Sequence, residues 1–351
     1  MREVRVEKKI IGEGNPAFII AEIGSNYNQD FNIAKKMINI VKESGADAVK
    51  FQIFKDEKLY ARNAGKADYL ENEIGINDIV KKAEVPDEMH KKLFDYCKEA
   101  GILYLCTPTD EDVADYLDDL GVKAFKIASY DLTNHFLLKH VAKKGKPVIL
   151  STGAGYFSEV GEAVNVIRGA GNDNIVLMQC VAQYPAAYEC TNLKIMEVYE
   201  KAFNLPAGIS DHSLDPFIVP YAAAAMGAKI VEKHFTLGRN QEGPDHSFAI
   251  EPDELIRMVD GIRKIEIAEG TGEKEVAKGE EELRKFAFRS IFSTKEIKVG
   301  ECIDGSNSYV LRPGKKEPGI DAKYFEFILG SKAVKNIEAN QAIKWEDVIA
   351  R

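Results

Sequence analysis

Cysteine is scarce in this 351-residue chain, and the five present follow no metal-binding or disulfide pattern. Cys97, Cys106, Cys180, Cys190 and Cys302 are odd in number, and no two stand at C-x-x-C spacing. A structural zinc site and a disulfide framework are therefore not expected, and a reduced, cytoplasmic setting is. Long apolar runs are missing too. No stretch approaches the roughly 20 residues of a membrane span, and residues 1–14 are charged, without the apolar centre of a signal peptide. No membrane partner is expected. Basic charge is in deficit, with 47 lysines and arginines against 56 acidic residues and a net charge of -9. A protein that wraps nucleic acid carries a basic stripe, so that class is set aside. An anionic small substrate is not excluded, because a local lysine cluster can oppose the overall sign.

What the chain does have is eight short apolar runs, each ending on groups able to bind or catalyse. They cover residues 17–22, 47–52, 102–107, 124–129, 147–152, 175–180, 206–211 and 229–234. Their endings include Glu22, Lys50 with Gln52, Thr107, Lys126 with Ser129, Ser151 with Thr152, Gln179, Ser210 with Asp211 and His212, and Glu232 with Lys233 and His234. The same bias at the C-terminal end of eight successive strands points to one shared site. A parallel (β/α)8 TIM barrel gathers those ends around a single mouth, where its active site sits. Between the runs, apolar residues recur at helical spacing and end at glycine: Ala34, Met37, Ile38 and Val41 before Gly45, then residues 87–100 before Gly101, 111–120 before Gly121 and 159–168 before Gly169. Strand, helix and glycine stop alternate, which is the pattern of parallel α/β layering. A doubly wound open sheet alternates in the same way, but eight units over this length fit a closed barrel better.

The length exceeds one barrel, so a second, smaller domain is expected. Residues 1–268 read as the catalytic barrel. The charged, glycine-containing stretch 269–289 reads as a linker, and 290–351 as a module of short strands, with Ser290–Ser293 and Ser308–Leu311 as strand candidates and a turn at Arg312-Pro313-Gly314. Residues 53–86, with Tyr60, Arg62 and Tyr69, form a longer insertion that could fold over the mouth as a lid.

Two constellations carry chemistry. His212 and His234 end neighbouring runs, and paired imidazoles with open coordination positions suit a divalent metal acting on a carbonyl. Each alone would read as an ordinary hydrogen-bonded histidine. Lys50, Lys126 and Lys233 lie in or beside strand ends, where an unpaired ammonium is costly to bury. With Ser129, Ser151 and Ser210 they would make a pocket for phosphate or carboxylate. Any one of them could instead be a salt-bridged structural lysine, or a Schiff-base lysine of a barrel aldolase. Glu22 and Asp131 are acidic candidates for base, sugar or metal contact. Gly243-Pro244-Asp245-His246 is a turn carrying an acid and an imidazole, a weak signal on its own.

These residues fall in motifs that resemble the bacterial sialic acid (N-acetylneuraminate) synthases. The motifs are Ala21-Glu22-Ile23-Gly24-Ser25-Asn26, Val49-Lys50-Phe51-Gln52, Phe125-Lys126-Ile127-Ala128-Ser129, Leu150-Ser151-Thr152-Gly153, Ile209-Ser210-Asp211-His212-Ser213, Glu232-Lys233-His234-Phe235-Thr236, Gly243-Pro244-Asp245-His246 and Arg312-Pro313-Gly314. The resemblance covers nearly the whole chain and makes the C-terminal module an antifreeze-like (SAF) domain. It implies condensation of phosphoenolpyruvate with N-acetylmannosamine or a related N-acetylated amino sugar. His212 and His234 would bind manganese or magnesium. Lys50, Lys126, Ser129, Ser151 and Ser210 would hold phosphoenolpyruvate, with Glu22, Lys50 and Lys126 catalytic. Gln52, Asp131, Tyr184, Asp245 and Arg312 would contact the sugar. A domain-swapped homodimer is implied as well.

Two positions depart from the pattern. Asp131 stands where a glutamate is frequent, and Ala182 where some members have asparagine. The variants Val181-Ala182-Gln183-Tyr184-Pro185 and Asp245-His246-Ser247-Phe248-Ala249 look more like the spore-coat polysaccharide branch, and the two departures bear on the exact sugar more than on the reaction. The alternatives are a legionaminic or pseudaminic acid synthase, a Schiff-base aldolase acting through Lys126, and a non-catalytic sugar-binding barrel.

Overall fold

Eight parallel strands form the central sheet. The computed structural model describes residues 3–66 and 75–349. An antiparallel hairpin of β1 (Val4–Val6) and β2 (Lys9–Ile11) precedes β3 (Phe18–Gly24), β4 (Ala48–Gln52), β5 (Leu103–Thr107), β6 (Phe125–Ile127), β7 (Val148–Ser151), β8 (Ile175–Cys180), β9 (Ala207–Asp211) and β10 (Ile230–His234). The sheet runs β5-β4-β3-β10-β9-β8-β7-β6, and its ladders are parallel. Its first and last strands, β5 and β6, lie against one another, so the sheet curls into a (β/α)8 barrel. All eight apolar runs are strands.

The helices follow from their caps and faces. In Phe31–Ser44, Asp30 accepts hydrogen bonds from the backbone N–H of Asn32 and Ile33, satisfying two of the free donors at the helix start. Ala34, Met37, Ile38 and Val41 form its buried stripe, and Gly45, at φ +83°, ends it in a conformation that other residues adopt only with strain. Asp87–Ala100, Glu111–Leu120 and Phe157–Gly169 occupy the other expected helical segments. The insertion contributes the helices Asp56–Leu59 and Ile76–Ala83. Tyr69 lies outside the described residues.

Strand alternation sorts the core into two layers. Ile19, Ala21, Val49, Phe51, Tyr104, Val148, Leu150, Leu177 and Val231 face the helices. Phe18, Ile20, Ala48, Leu105, Ala124, Ile149, Val176, Met178 and Ile230 fill the barrel interior, joined there by Val4, Val6 and Ile11 of the hairpin. The hairpin thus closes the N-terminal end of the barrel, and the apolar filling occupies its lower half. The interior positions at the C-terminal strand ends are polar on every strand but β8, which ends on Cys180.

The chain divides into compact units at Gly270. The last barrel helix, Pro252–Glu269, runs one residue past the expected boundary. In the second unit, β11 (Ser290–Ser293) pairs antiparallel with β12 (Ser308–Leu311), both as expected. Its core is built almost wholly of isoleucines: Ile291, Ile297, Ile303, Ile320, Ile328, Ile337 and Ile343. The expected linker 269–289 needs correction, because Glu281–Ala287 is helical. Lys315 bonds Glu282 at 2.6 Å, and the Gly314 N–H donates to the Phe286 carbonyl, so this helix is fastened to the residues that follow β12. High charge marked the segment as solvated, which it is, but did not reveal these anchors.

Candidate active site

The interior phase of the strands continues upward from the apolar filling, and its next positions are Glu22, Lys50, Thr107, Lys126, Ser151, Ser210 and Glu232. Each is 5% exposed or less, so the charges among them must satisfy one another. Lys50 Nζ lies 2.8 Å from Glu22 Oε2 and 3.8 Å from Glu232 Oε1. Lys126 Nζ lies 3.7 Å from the same Glu232 oxygen and donates to Ser151 Oγ at 2.6 Å. Ser210 Oγ donates to that oxygen at 3.0 Å. Lys50 also reaches Thr107 Oγ1 at 3.4 Å, and Gln52 Nε2 donates to Glu22 Oε1.

Burial works against each charge in this chain of alternating signs. Around Lys50 the two carboxylates outweigh burial and hold the ammonium above its usual pKa. Around Lys126 burial wins over the nearby Glu232 carboxylate, the Lys50 ammonium adds to the effect, and its pKa falls. Burial disfavours the Glu232 anion, but Lys126, Lys50 and His234 reverse this and bring its pKa down to about 2. The site therefore presents two ammonium groups and aligned hydroxyls, the donor set that phosphate and carboxylate accept.

Beside this cluster the two imidazoles come together, their ring centres 5.2 Å apart. His212 Nδ1–H donates to the Val181 carbonyl at 2.7 Å, which fixes the tautomer and leaves Nε2 as a lone-pair donor. Burial and the neighbouring His234 push the His212 pKa down to about 3, so the ring stays neutral, as a metal ligand must be. His234 Nδ1 makes no hydrogen bond, and Asp245 Oδ2 stands 3.5 Å from it. Among the described residues no three His, Cys, Asp or Glu side chains gather into a metal cage. Two adjacent imidazoles, His212 held neutral, fit a catalytic metal whose remaining positions are left for substrate and water.

Tyr184 lies over His212 with ring centres 4.3 Å apart and contacts Phe248. Asp245 is brought to the mouth by the loop after β10. Gly24, at φ +53°, leaves room there: a Cβ would stand 3.2 Å from Glu22 Oε1 and 3.4 Å from Asp245 Oδ2. Ser129 follows β6 and accepts from the Gly153 N–H at 2.9 Å. Asp131 closes the same short turn, where its carboxylate accepts from Asn134 at 3.3 Å rather than joining the lysine cluster. Arg312 belongs to the second unit, just past β12. A cavity of about 400 Å³ among Lys55, Lys58, Asp87, Asp110 and Asp112 includes none of the cluster residues.

Two expectations change. Lys233 does not join the anion pocket. It stands on the alternate phase of β10, ion-paired to Asp211 at 2.5 Å and donating to the Ser213 and Asp215 carbonyls. Conversely, Glu232, in the sequence only one polar strand ending among many, is the hub of the cluster. Counting by twos along β10 from His234 would have placed Glu232 inside and Lys233 outside.

A family model described as the NeuB family matches residues 37–274, and one for the SAF domain matches 288–349. The chain belongs to the NeuB family. Spore coat polysaccharide biosynthesis protein SpsE of Bacillus subtilis is 40% identical over 100% of this chain and 98% of its own. The N,N'-diacetyllegionaminic acid synthase of Campylobacter jejuni is 41% identical over 93% of this chain and 98% of its own. Among solved structures, the N-acetylneuraminic acid synthetase of Leptospira borgpetersenii in complex with citrate is 33% identical and superposes with TM-score 0.73, over 81% of this chain and 96% of that one. This NeuB-family chain is thus built as a (β/α)8 barrel and an SAF domain, like enzymes that synthesise sialic-type acids. No helix among the described residues is long and apolar enough to cross a membrane.

Proposed function

We propose that this protein condenses phosphoenolpyruvate with N-acetylmannosamine or a related N-acetylated amino sugar, giving a nine-carbon 2-keto acid of the N-acetylneuraminate type and free phosphate. The observation that carries this reading is the buried Glu22–Lys50–Glu232–Lys126 chain beside the paired imidazoles, at one barrel mouth. Lys50, Lys126, Ser129, Ser151 and Ser210 hold the phosphate and carboxylate of phosphoenolpyruvate. Gln52, Asp131, Tyr184 and Asp245 contact the sugar, and Arg312 reaches it on the barrel of a second copy in a domain-swapped homodimer. When bound between His212 and His234, a manganese or magnesium ion would act as a Lewis acid on the sugar's open-chain aldehyde.

The enol carbon forms the new C–C bond at that aldehyde carbon, and the aldehyde oxygen takes a proton to become a hydroxyl. Water then adds to the cationic carbon that carries the phosphate, and its proton is lost. Glu22, held by Lys50 and Gln52, accepts a hydrogen bond from this water and orients it. The C–O bond to phosphate breaks and the carbonyl of the keto acid forms. Lys126 and the serines stabilise the charge that collects on the departing phosphate. No imine to Lys126 is required, because phosphoenolpyruvate already carries the nucleophilic carbon.

A second reading, with a diacetamido-trideoxy hexose as the sugar and a legionaminic or pseudaminic acid as product, is favoured by the 41% identity to the legionaminic acid synthase. The test is phosphate release from phosphoenolpyruvate with each sugar, with and without chelator, together with product mass. Chelator-sensitive release with N-acetylmannosamine and a sialic acid mass is the expected result. Release with the diacetamido sugar alone selects the second reading. No release with either sugar overturns both.

A further inference from the structure

Glu232 has an uneven set of partners. Its Oε1 faces Lys50 at 3.8 Å, Lys126 at 3.7 Å and Ser210 Oγ at 3.0 Å, three groups assigned to phosphoenolpyruvate above. Its Oε2 is buried without a hydrogen-bond partner. The side chain is 3% exposed, so solvent does not screen it. A carboxylate so placed is an unusual neighbour for an anion site, since it repels the ligand that its lysines attract.

We infer that Glu232 is a positioning residue that holds Lys50, Lys126 and Ser210 as one set and, by its charge, limits how tightly the site grips phosphate. The charge count supports this. Glu22, Lys50, Glu232 and Lys126 sum to zero, whereas the site without the Glu232 charge carries one net positive. Phosphoenolpyruvate and product phosphate are both anions, so a more positive site binds both more tightly. Tighter binding of the substrate alone, without better binding of the transition state, does not raise turnover. Tighter binding of the product slows its departure. Glu232 therefore trades ground-state affinity for release, and its charge also offsets the cost of keeping two buried ammonium groups charged in the free enzyme.

The inference rests on the phosphoenolpyruvate reading, and inorganic phosphate separates the two. Phosphate and phosphoenolpyruvate binding would be measured by calorimetry on the full-length protein, wild type and E232Q, with steady-state kinetics alongside. Glutamine keeps the shape and can still accept from Ser210. The expected result is at least tenfold tighter phosphate binding in E232Q, with KM for phosphoenolpyruvate and kcat both falling. Equal or weaker phosphate binding by a folded E232Q overturns the role assigned to its charge. Should E232Q not fold, E232D retains the charge but withdraws it by one methylene, and two- to fivefold tighter phosphate binding is expected; none overturns the inference. Wild type that binds neither anion overturns the phosphoenolpyruvate reading and this inference with it.

Discussion

A histidine that must ligate a metal has to remain unprotonated, and burial secures this for His212 by lowering its pKa to about 3. His212→Ala should reduce metal-dependent turnover by at least a hundredfold and shift the melting temperature little. Chelator-sensitive phosphate release at wild-type rate in that variant would remove the ligand assignment. Burial also lowers His90 to about 4, away from the catalytic cluster, where Tyr104 OH is 3.2 Å from its Nδ1. The sign of the linkage is the same for both rings. Unfolded histidine binds a proton near pH 6.5, whereas the folded rings do not, so stability falls as pH drops from about 6.5 towards 4. Glu232, depressed to about 2, contributes above about pH 4.5 and is lost below it, in a separate acid window. His90→Phe should therefore flatten the upper window only, as read from urea midpoints between pH 7 and 4.5. An unchanged pH slope in His90→Phe would show that His90 does not titrate on unfolding.

At the scale of the element, the barrel depends on what each strand places inside it. A Cβ at Gly208 would lie 1.9 Å from the Ile230 carbonyl oxygen, so Gly208→Ala must push β9 away from β10. Those strands hold Ser210, Glu232 and His234, and overpacking of this kind costs about 1–3 kcal/mol, occasionally more. The variant should lose stability in denaturant melts and most of its turnover; a wild-type midpoint would mean that the strands part freely. The strands were legible because eight apolar runs ended alike, and the helices because glycine and aspartate mark their limits. What escaped was the face of each residue. Lysine identity alone grouped Lys233 with Lys50 and Lys126, although its odd position on β10 sends it to Asp211. A carboxylate such as Glu232 looks misplaced among anion-binding lysines until distances show whom it serves. The helix Glu281–Ala287 stayed hidden for a different reason: it buries no side chain fully, so no apolar stripe announced it.

Across the whole molecule, the net charge of -9 says nothing of a site built from buried lysines, because surface carboxylates in water and buried ion pairs contribute on different scales. The hairpin at the opposite end of the barrel shows a related separation of tasks. Ile11 is fully buried against the interior filling and far along its strands from the polar mouth. Ile11→Ala should cost about 2–5 kcal/mol of stability while leaving KM for both substrates unchanged below the melting transition. The second unit carries its own isoleucine core and, in Arg312, a residue assigned to the sugar alone. A charge-assisted hydrogen bond contributes about 1.5–3 kcal/mol, which corresponds to roughly a 10- to 150-fold change in an equilibrium constant. Arg312→Ala should therefore raise KM for the amino sugar by that factor and leave KM for phosphoenolpyruvate and the affinity for phosphate where they were. The opposite pattern, with phosphoenolpyruvate affected and the sugar not, would move Arg312 into the anion site. Proportional losses for both substrates would instead assign it to the stability of the SAF unit, which a lowered melting temperature would reveal independently.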